Sequence, residues 1–184
     1  MITSKPEYDV CQAQMKRASI PHDILLFNLI GNHILIQVLA GGLAKTFPWV
    51  LFITPTISLV LIAYTLWRAS KSPKRDTPFV QCHWAVAAKR TRLFLVMLGV
   101  LAAVSSFAAI AHFFMGLMQE AAIALVVGGG ILPVMVTMLI LIMMESEALH
   151  MAKHKRAPSC PGILDEKDAI PMEMEAMEAA AEAA

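Results

Sequence analysis

Charged residues are almost absent from four long stretches of this chain. Of its 184 residues 58% are hydrophobic and 16% are charged, and the hydrophobic residues are gathered into runs at 24–44, 48–67, 93–117 and 121–144. Each run has the roughly 20 residues that a helix needs to cross a bilayer. Soluble domains distribute their apolar residues in short periodic stripes instead. The sequence therefore predicts an all-α integral membrane protein with four transmembrane helices spread over 24–145.

The chain also lacks the motifs of the common enzyme classes. No nucleotide-binding glycine loop, zinc-protease motif, Ser/His/Asp set or pair of carboxylates occurs in or near the apolar runs. The segments outside the runs are too short to form a soluble catalytic domain. We therefore expect a protein that is not an enzyme and that has no nucleic-acid partner.

Basic residues are scarce on one side of the predicted bundle. Fourteen of the fifteen lysines and arginines lie in the N-terminal segment 1–23, the loop 68–92 or the tail 146–184, and the exception is Lys45. With four spans these three segments share one side, which the positive-inside rule makes cytoplasmic. The short connections between spans one and two and between spans three and four predict two antiparallel hairpins with both termini cytoplasmic. We expect the membrane to be a bacterial inner (plasma) membrane.

Cysteine occurs only three times, at Cys11, Cys82 and Cys160. All three positions fall on the side that the basic residues assign to the cytoplasm. Disulfides are rare in that reducing compartment. The sequence thus predicts three free thiols.

Polar residues within span one fall on two faces of the predicted helix. At 100° per residue His33 and Gln37 share one face, while Asn28 and Asn32 lie more than a quarter-turn away. Polar groups in a membrane face protein or water, because lipid cannot satisfy them. We interpret these side chains as interhelical hydrogen-bonding groups, so span one is expected to contact neighbours on two sides.

Span three carries a line of small residues, spaced three and four apart, that we call the seam: Ala102, Ser105, Ala109, His112 and Gly116. Such a line lets another helix approach closely and directs the imidazole into the bundle. A haem held by His33 and His112 is an alternative. Counted along the helices their depths differ by about 10 Å, which disfavours axial ligation of one iron within the chain.

Span four contains a cluster of poor helix formers, Gly128, Gly129, Gly130 and Pro133. Proline cannot donate to the preceding turn, and Pro55 creates a similar weak point in span two. Two interpretations follow. The glycines pack against a bare helix backbone, for which span two near Pro55 or a partner helix is the expected neighbour. Alternatively, the two weak points open a polar pocket of the kind found in transporters.

Cytoplasmic segments next to the spans carry further candidate groups. Trp84, Lys89, Arg90 and Arg92 are predicted to bind anionic lipid headgroups. His150 and His154 have a spacing that could hold a metal, but the adjacent basic residues favour a solvated helix. The acidic end 171–184, rich in Ala, Glu and Met, is predicted to be disordered or to form an amphipathic helix on a basic partner. No cofactor or metal is required by any of these patterns.

Three functions are compatible with these features. The favoured one is a non-catalytic accessory or structural subunit of a larger membrane complex, because span one has two polar faces and span three has the seam. A small transporter or channel built around Pro55 and Gly128–Gly130 is the alternative. A haem-binding electron-transfer subunit is the third. The expected partners are other membrane subunits and anionic lipid headgroups.

Overall fold

The structure, a computed structural model, describes residues 7–160 and 162–164. These residues form helices and no strand. Four helical segments are long and apolar enough to cross a membrane: Gln12–Leu43, Pro48–Lys74, Pro78–Met115 and Gln119–Lys153. They contain the predicted runs, apart from a few terminal residues. The prediction of an all-helical chain with four candidate spans is confirmed, and this composition indicates a multi-pass membrane protein.

Most of the helical residues are in regular α-helices, and the remainder are in tighter or wider turns. The α-helices are α1 Gln12–Leu26, α2 Gln37–Leu43, α3 Ile53–Lys71, α4 Pro78–Met115, α5 Gln119–Leu125 and α6 Leu132–Lys153. Two wide π-helical segments, Phe27–Ile36 and Val126–Ile131, lie within spans one and four. Two 3-10 helices, Pro48–Phe52 and Ser72–Lys74, flank α3.

The helices extend beyond the apolar runs at the end that carries the basic residues. α1 begins at Gln12, α4 begins at Pro78 and α6 continues to Lys153. Pro78 suits a first helical position, because its missing N–H would have no partner there. These extensions supply many of the buried residues described below, so the helix ends contribute to the buried core as well as the apolar runs do.

Pro55 does not break a helix in the middle of span two. α3 begins at Ile53, which places Pro55 in the first turn. The N–H groups of a first turn have no partner within the helix, so a proline is tolerated there. The irregularity of span two lies earlier, in the 3-10 helix Pro48–Phe52. The predicted weak point is thus displaced toward the start of the span.

The described residues group into two compact units. The first unit is formed by residues within Met1–Ala88 and Glu145–Ala184, and the second by Lys89–Met144. The first unit has a buried hydrophobic cluster that includes Ala18, Phe79 and Trp84. In the second unit α4 ends at Met115, and Gly116 follows with a φ of +72°. Glycine tolerates this left-handed conformation, so Gly116 terminates the helix and does not continue the seam.

Candidate functional site

Two histidines and a glutamate form a buried hydrogen-bonded chain in the first unit. His22 of α1 places Nδ1 2.5 Å from Oε2 of Glu145 in α6. The other ring nitrogen of His22, Nε2, lies 2.9 Å from Nδ1 of His83 in α4. All three residues are fully buried, with 0% of their surface exposed. Side-chain hydrogen bonds therefore join three helices at one place.

The hydrogen bonds among His22, His83 and Glu145 determine how many protons these three side chains hold together. At the far end of this set Nε2 of His83 lies 3.3 Å from the carbonyl oxygen of Arg156. Each of the three contacts, from Glu145 to His22, from His22 to His83 and from His83 to this carbonyl, needs one hydrogen. A carboxylate and two neutral imidazoles carry only two, so a third proton is required. With it, Glu145, His22 and His83 together are net neutral.

A neutral hydrogen-bonded chain suits the buried position. An unpaired carboxylate or imidazolium in this environment would cost several kcal/mol of desolvation free energy. The third proton can reside on the carboxyl group or on either ring without breaking a contact, and only its position changes. The three side chains can thus share one proton. Because none of the three side chains is exposed, this hydrogen-bonded set does not present a nucleophile to a substrate.

The segment that follows α6 is bound to the same part of the first unit. Cys160 forms a disulfide with Cys82 of α4, with Cα atoms 5.8 Å apart. Nη2 of Arg156 lies 3.0 Å from Oε1 of Glu7. The backbone N–H of Tyr8 donates to the carbonyl oxygen of Lys155 at 2.9 Å. These contacts hold residues from both ends of the described chain beside His83.

The disulfide contradicts the prediction of three free thiols. Only Cys11 is free, and it is exposed. The prediction inferred the redox compartment from the basic residues. Nothing in a count of three cysteines shows that two of them, separated by 78 positions, become neighbours. The position of α4 beside the tail was the missing information.

Trp84 is not exposed at the membrane surface as predicted. It is only 2% exposed, and the guanidinium carbon of Arg68 lies 5.0 Å from the centre of its ring. A tryptophan beside basic residues is typical of an interface, but here the apolar cluster of the first unit encloses the indole. Lys89 and Arg92 are exposed. Arg90 is half-buried and donates from Nη1 to the carbonyl oxygen of Met144 at 2.9 Å.

The two predicted polar faces of span one converge on one residue of span two. Nδ2 of Asn28 donates to Oγ of Ser58 at 3.1 Å, and Nε2 of His33 lies 2.9 Å from the same oxygen. Asn32 donates to the carbonyl oxygen of Thr54 at 2.9 Å. The wide turns of Phe27–Ile36 explain the difference, because π-helical bonds join residues five apart and bring such residues onto one side. Gln37 is exposed.

The glycines of span four lie against side chains, not against a bare helix backbone. A Cβ on Gly130 would be 2.8 Å from Cδ1 of Leu101, and one on Gly129 would be 3.6 Å from Cγ1 of Val104. Gly128 has no such neighbour within 4 Å. The expectation of a backbone neighbour is therefore wrong for the nearest contacts of Gly129 and Gly130, which are with side chains of the same unit. Pro133 follows the widened segment, and its carbonyl oxygen accepts from Oγ1 of Thr137 at 2.8 Å.

Part of the seam lines an open cavity of about 480 Å³ in the second unit. Ser105, Ala109 and His112 of α4 form one wall, and Ala122 and Val126 lie on the opposite wall. Nδ1 of His112 donates to the carbonyl oxygen of Leu117 at 2.8 Å. The remaining seam residues, Ala102 and Gly116, are exposed.

The two histidines of the tail are close to each other. Their ring centroids are 4.0 Å apart, and Nδ1 of His154 donates to the carbonyl oxygen of His150 at 2.9 Å. Within residues 7–160 and 162–164 no group of three or more His, Cys, Asp or Glu side chains is arranged to hold a metal ion. The acidic end 171–184, predicted as a docking segment, lies outside the described residues.

Sequence reasoning missed His22, His83 and Glu145. All three lie outside the apolar runs, in segments predicted to hold lipid anchors, solvated groups or at most a metal at His150 and His154. A usable signal existed, because His22 comes just before the first run and Glu145 directly after the last.

Comparison with protein-family models, with curated proteins and with solved structures gives no match for this chain.

Proposed function

We propose that the chain is a non-catalytic accessory subunit of a larger membrane assembly, and that the cavity of its second unit receives a helix of another subunit. The observation that supports this function is the lining of that cavity. Two helices contribute small side chains, chiefly Ala109 and Ala122, to an open groove between them. A third helix can approach the groove closely at Ala109 and Ala122, because these two side chains are small.

The chemistry of the groove matches a transmembrane helix better than a polar solute. Seven of its ten lining residues are apolar, five of them alanine or valine, and Ser105, His112 and Gln119 are the polar ones. Within lipid, helices associate through close packing supplemented by a few hydrogen bonds of this kind. A charged solute would require a counter-charge, and none of the lining residues is acidic or basic apart from histidine. The proposed occupant is therefore an apolar helix with small residues facing Ala109.

The proposal includes the topology expected from the sequence. Contacts between spans one and two pair Asn28 with Ser58 and Asn32 with Thr54, an order that supports antiparallel neighbours. The basic residues favour a cytoplasmic location for both termini. The disulfide would then lie in a reducing compartment, where such bonds are transient or redox-sensing. Two antiparallel hairpins with cytoplasmic ends, in a bacterial inner membrane, remain our proposal.

Affinity purification of two matched variants tests the function. Ala109→Leu fills the groove, whereas Ala103→Leu adds the same volume at an exposed position of α4 outside it. Enlarging the methyl side chain to isobutyl overpacks the groove at a cost of about 1–3 kcal/mol, which weakens binding of the partner about 5- to 150-fold. We expect the first variant to lose a stoichiometric partner in mild detergent and the second to retain it.

The same purification can contradict the proposal. Wild-type chain that elutes as a monodisperse monomer, or as a dimer of itself, would show that no other subunit is required. Equal loss of partner from the two variants would show that the groove is not where the partner binds. Thermal unfolding of both variants provides the control, because an exposed position should change the free energy of unfolding little.

A further inference from the structure

Three arginines surround a second cavity, which lies within the first unit. Its volume is about 530 Å³, and its lining includes Arg17 of α1, Arg68 of α3 and Arg75 in the turn after α3. Tyr64 and Ile20 provide a more apolar wall. Arg68 directly follows the apolar run 48–67, and Ile20 lies just before the run 24–44. The cavity therefore lies where the apolar parts of spans one and two end.

Arg68 is held in place by neighbours that leave one of its hydrogen-bond donors without an acceptor among the described residues. Nη2 lies 2.8 Å from Oδ2 of Asp76, and the guanidinium group stacks over the ring of Trp84. Its other terminal nitrogen, Nη1, is buried without a hydrogen-bond acceptor among the described residues. A buried donor of this kind is costly unless an acceptor is supplied to it.

The other two arginines add positive charge that the described residues do not neutralise. Arg17 and Arg75 are exposed, and neither forms an ion pair with a carboxylate in the described part of the chain. Asp76 is the one acidic residue in the lining, and Arg68 already pairs with it. The cavity thus carries a net positive charge next to an apolar, aromatic wall.

We propose that this cavity binds a phosphate-bearing anion, and that the source of the phosphate is the headgroup of an anionic phospholipid. Arginine matches the geometry of phosphate oxygens, because its planar group can donate two parallel hydrogen bonds. Basic pockets between membrane helices bind lipid headgroups in this way. The wall formed by Tyr64 and Ile20 suits the glycerol and upper acyl chain better than it suits a free ion. This site is independent of the proposed subunit function.

The site differs from the headgroup set that the sequence predicted. Lys89, Arg90 and Arg92 belong to the second unit and do not line this cavity. A diffuse attraction of lipid to basic residues would depend on those residues as much as on Arg17 and Arg75. Binding in a defined pocket would depend on Arg17 and Arg75 and not on Lys89, Arg90 or Arg92. This difference provides a matched control.

Native mass spectrometry of the full-length protein in detergent, titrated with phosphatidylglycerol, tests the proposal. The variants are Arg17→Gln with Arg75→Gln, and Lys89→Gln with Arg92→Gln as a control that removes two exposed positive charges outside the cavity. Phosphatidylcholine serves as a zwitterionic lipid, and inorganic phosphate is titrated separately. Each arginine near an anionic lipid contributes about fivefold in affinity, so the double variant should bind phosphatidylglycerol about 25-fold more weakly. The control should bind it like the wild type.

Two outcomes would overturn the site, and a third would change its source. An equal loss in the control variant, which also lacks two positive charges, would show diffuse attraction, and equal binding of phosphatidylcholine would show that charge is not recognised. If inorganic phosphate binds with the same dependence on Arg17 and Arg75 while phosphatidylglycerol does not, the anion site stands and the lipid is overturned as its occupant. Unchanged thermal unfolding of the double variant would show that its fold is intact, as expected for two exposed side chains.

Discussion

Replacing Glu145 separates the contribution of its charge from that of its hydrogen bond. Glu145→Gln retains the shape, and the new amide can donate to Nδ1 of His22, so each contact of the buried chain still holds one hydrogen. Glu145→Ala leaves a cavity and a buried ring nitrogen without its partner. Breaking a buried pair in this way costs about 3–5 kcal/mol. We expect Glu145→Gln to cost less than about 1.5 kcal/mol, the usual net value of one hydrogen bond.

Thermal unfolding in detergent, followed by tryptophan fluorescence, measures the difference. At about 2–4 °C per kcal/mol for a chain of this length, Glu145→Ala should lower the Tm by about 6–20 °C. Asp23→Ala is the control, because Asp23 is an exposed carboxylate of α1, the helix that carries His22, and its replacement should change the Tm little. A Glu145→Ala variant as stable as this control would refute the buried chain. A Glu145→Gln variant as unstable as Glu145→Ala would refute the neutral proton count.

Two further predictions concern packing and the disulfide. Gly130→Leu should cost about 1–3 kcal/mol, because even a Cβ there would be 2.8 Å from Cδ1 of Leu101, whereas Gly128→Leu has open space and should cost little. Thermal unfolding compares the two, and equal costs would contradict the packing described here. Cys82→Ser should destabilise the chain by up to about 4 kcal/mol, given the long loop that the disulfide closes. A thiol assay on the native protein should count one reactive cysteine, Cys11, and three after reduction and unfolding; three without reductant would contradict the disulfide.

The spans could be predicted because their signal is local. A run of roughly 20 apolar residues identifies a membrane-crossing helix whatever its neighbours are. The exact helix ends were harder to predict, because α1 and α4 begin well before their apolar runs, among more polar residues. Those residues are helical here and many are buried in the first unit, as Ala18 and Val80 are. Local hydropathy does not record such packing.

The polar contacts could be predicted only in part. Asn28, Asn32 and His33 were expected to form interhelical hydrogen bonds, but a helix of regular pitch placed them on different faces. The π-helical segment Phe27–Ile36 changes that pitch. A π-helical turn depends on which partners the side chains find, so sequence spacing alone does not reveal it. The same limit applies to Ser58, which receives two of these contacts.

The buried site could not be predicted, because its members are brought together by tertiary structure. His22 and Glu145 are separated by 123 positions and each reads as a solvated residue at the end of a span. Trp84 was misinterpreted for a related reason, because a tryptophan near basic residues in the sequence is typical of the membrane–water interface. In both cases the missing information was the packing of α1, α4 and α6, which no motif in the chain encodes.

Photocrosslinking in intact membranes tests the subunit proposal most directly. A photoreactive amino acid replaces Ala109 within the groove, or Ala103 outside it as the control. We expect position 109 to give one discrete adduct with a different membrane protein, the same one that co-purifies in stoichiometric amount, and position 103 to label mainly lipid. Lipid labelling alone at position 109, or an adduct between two copies of this chain, would contradict the proposed role as a subunit of a larger assembly.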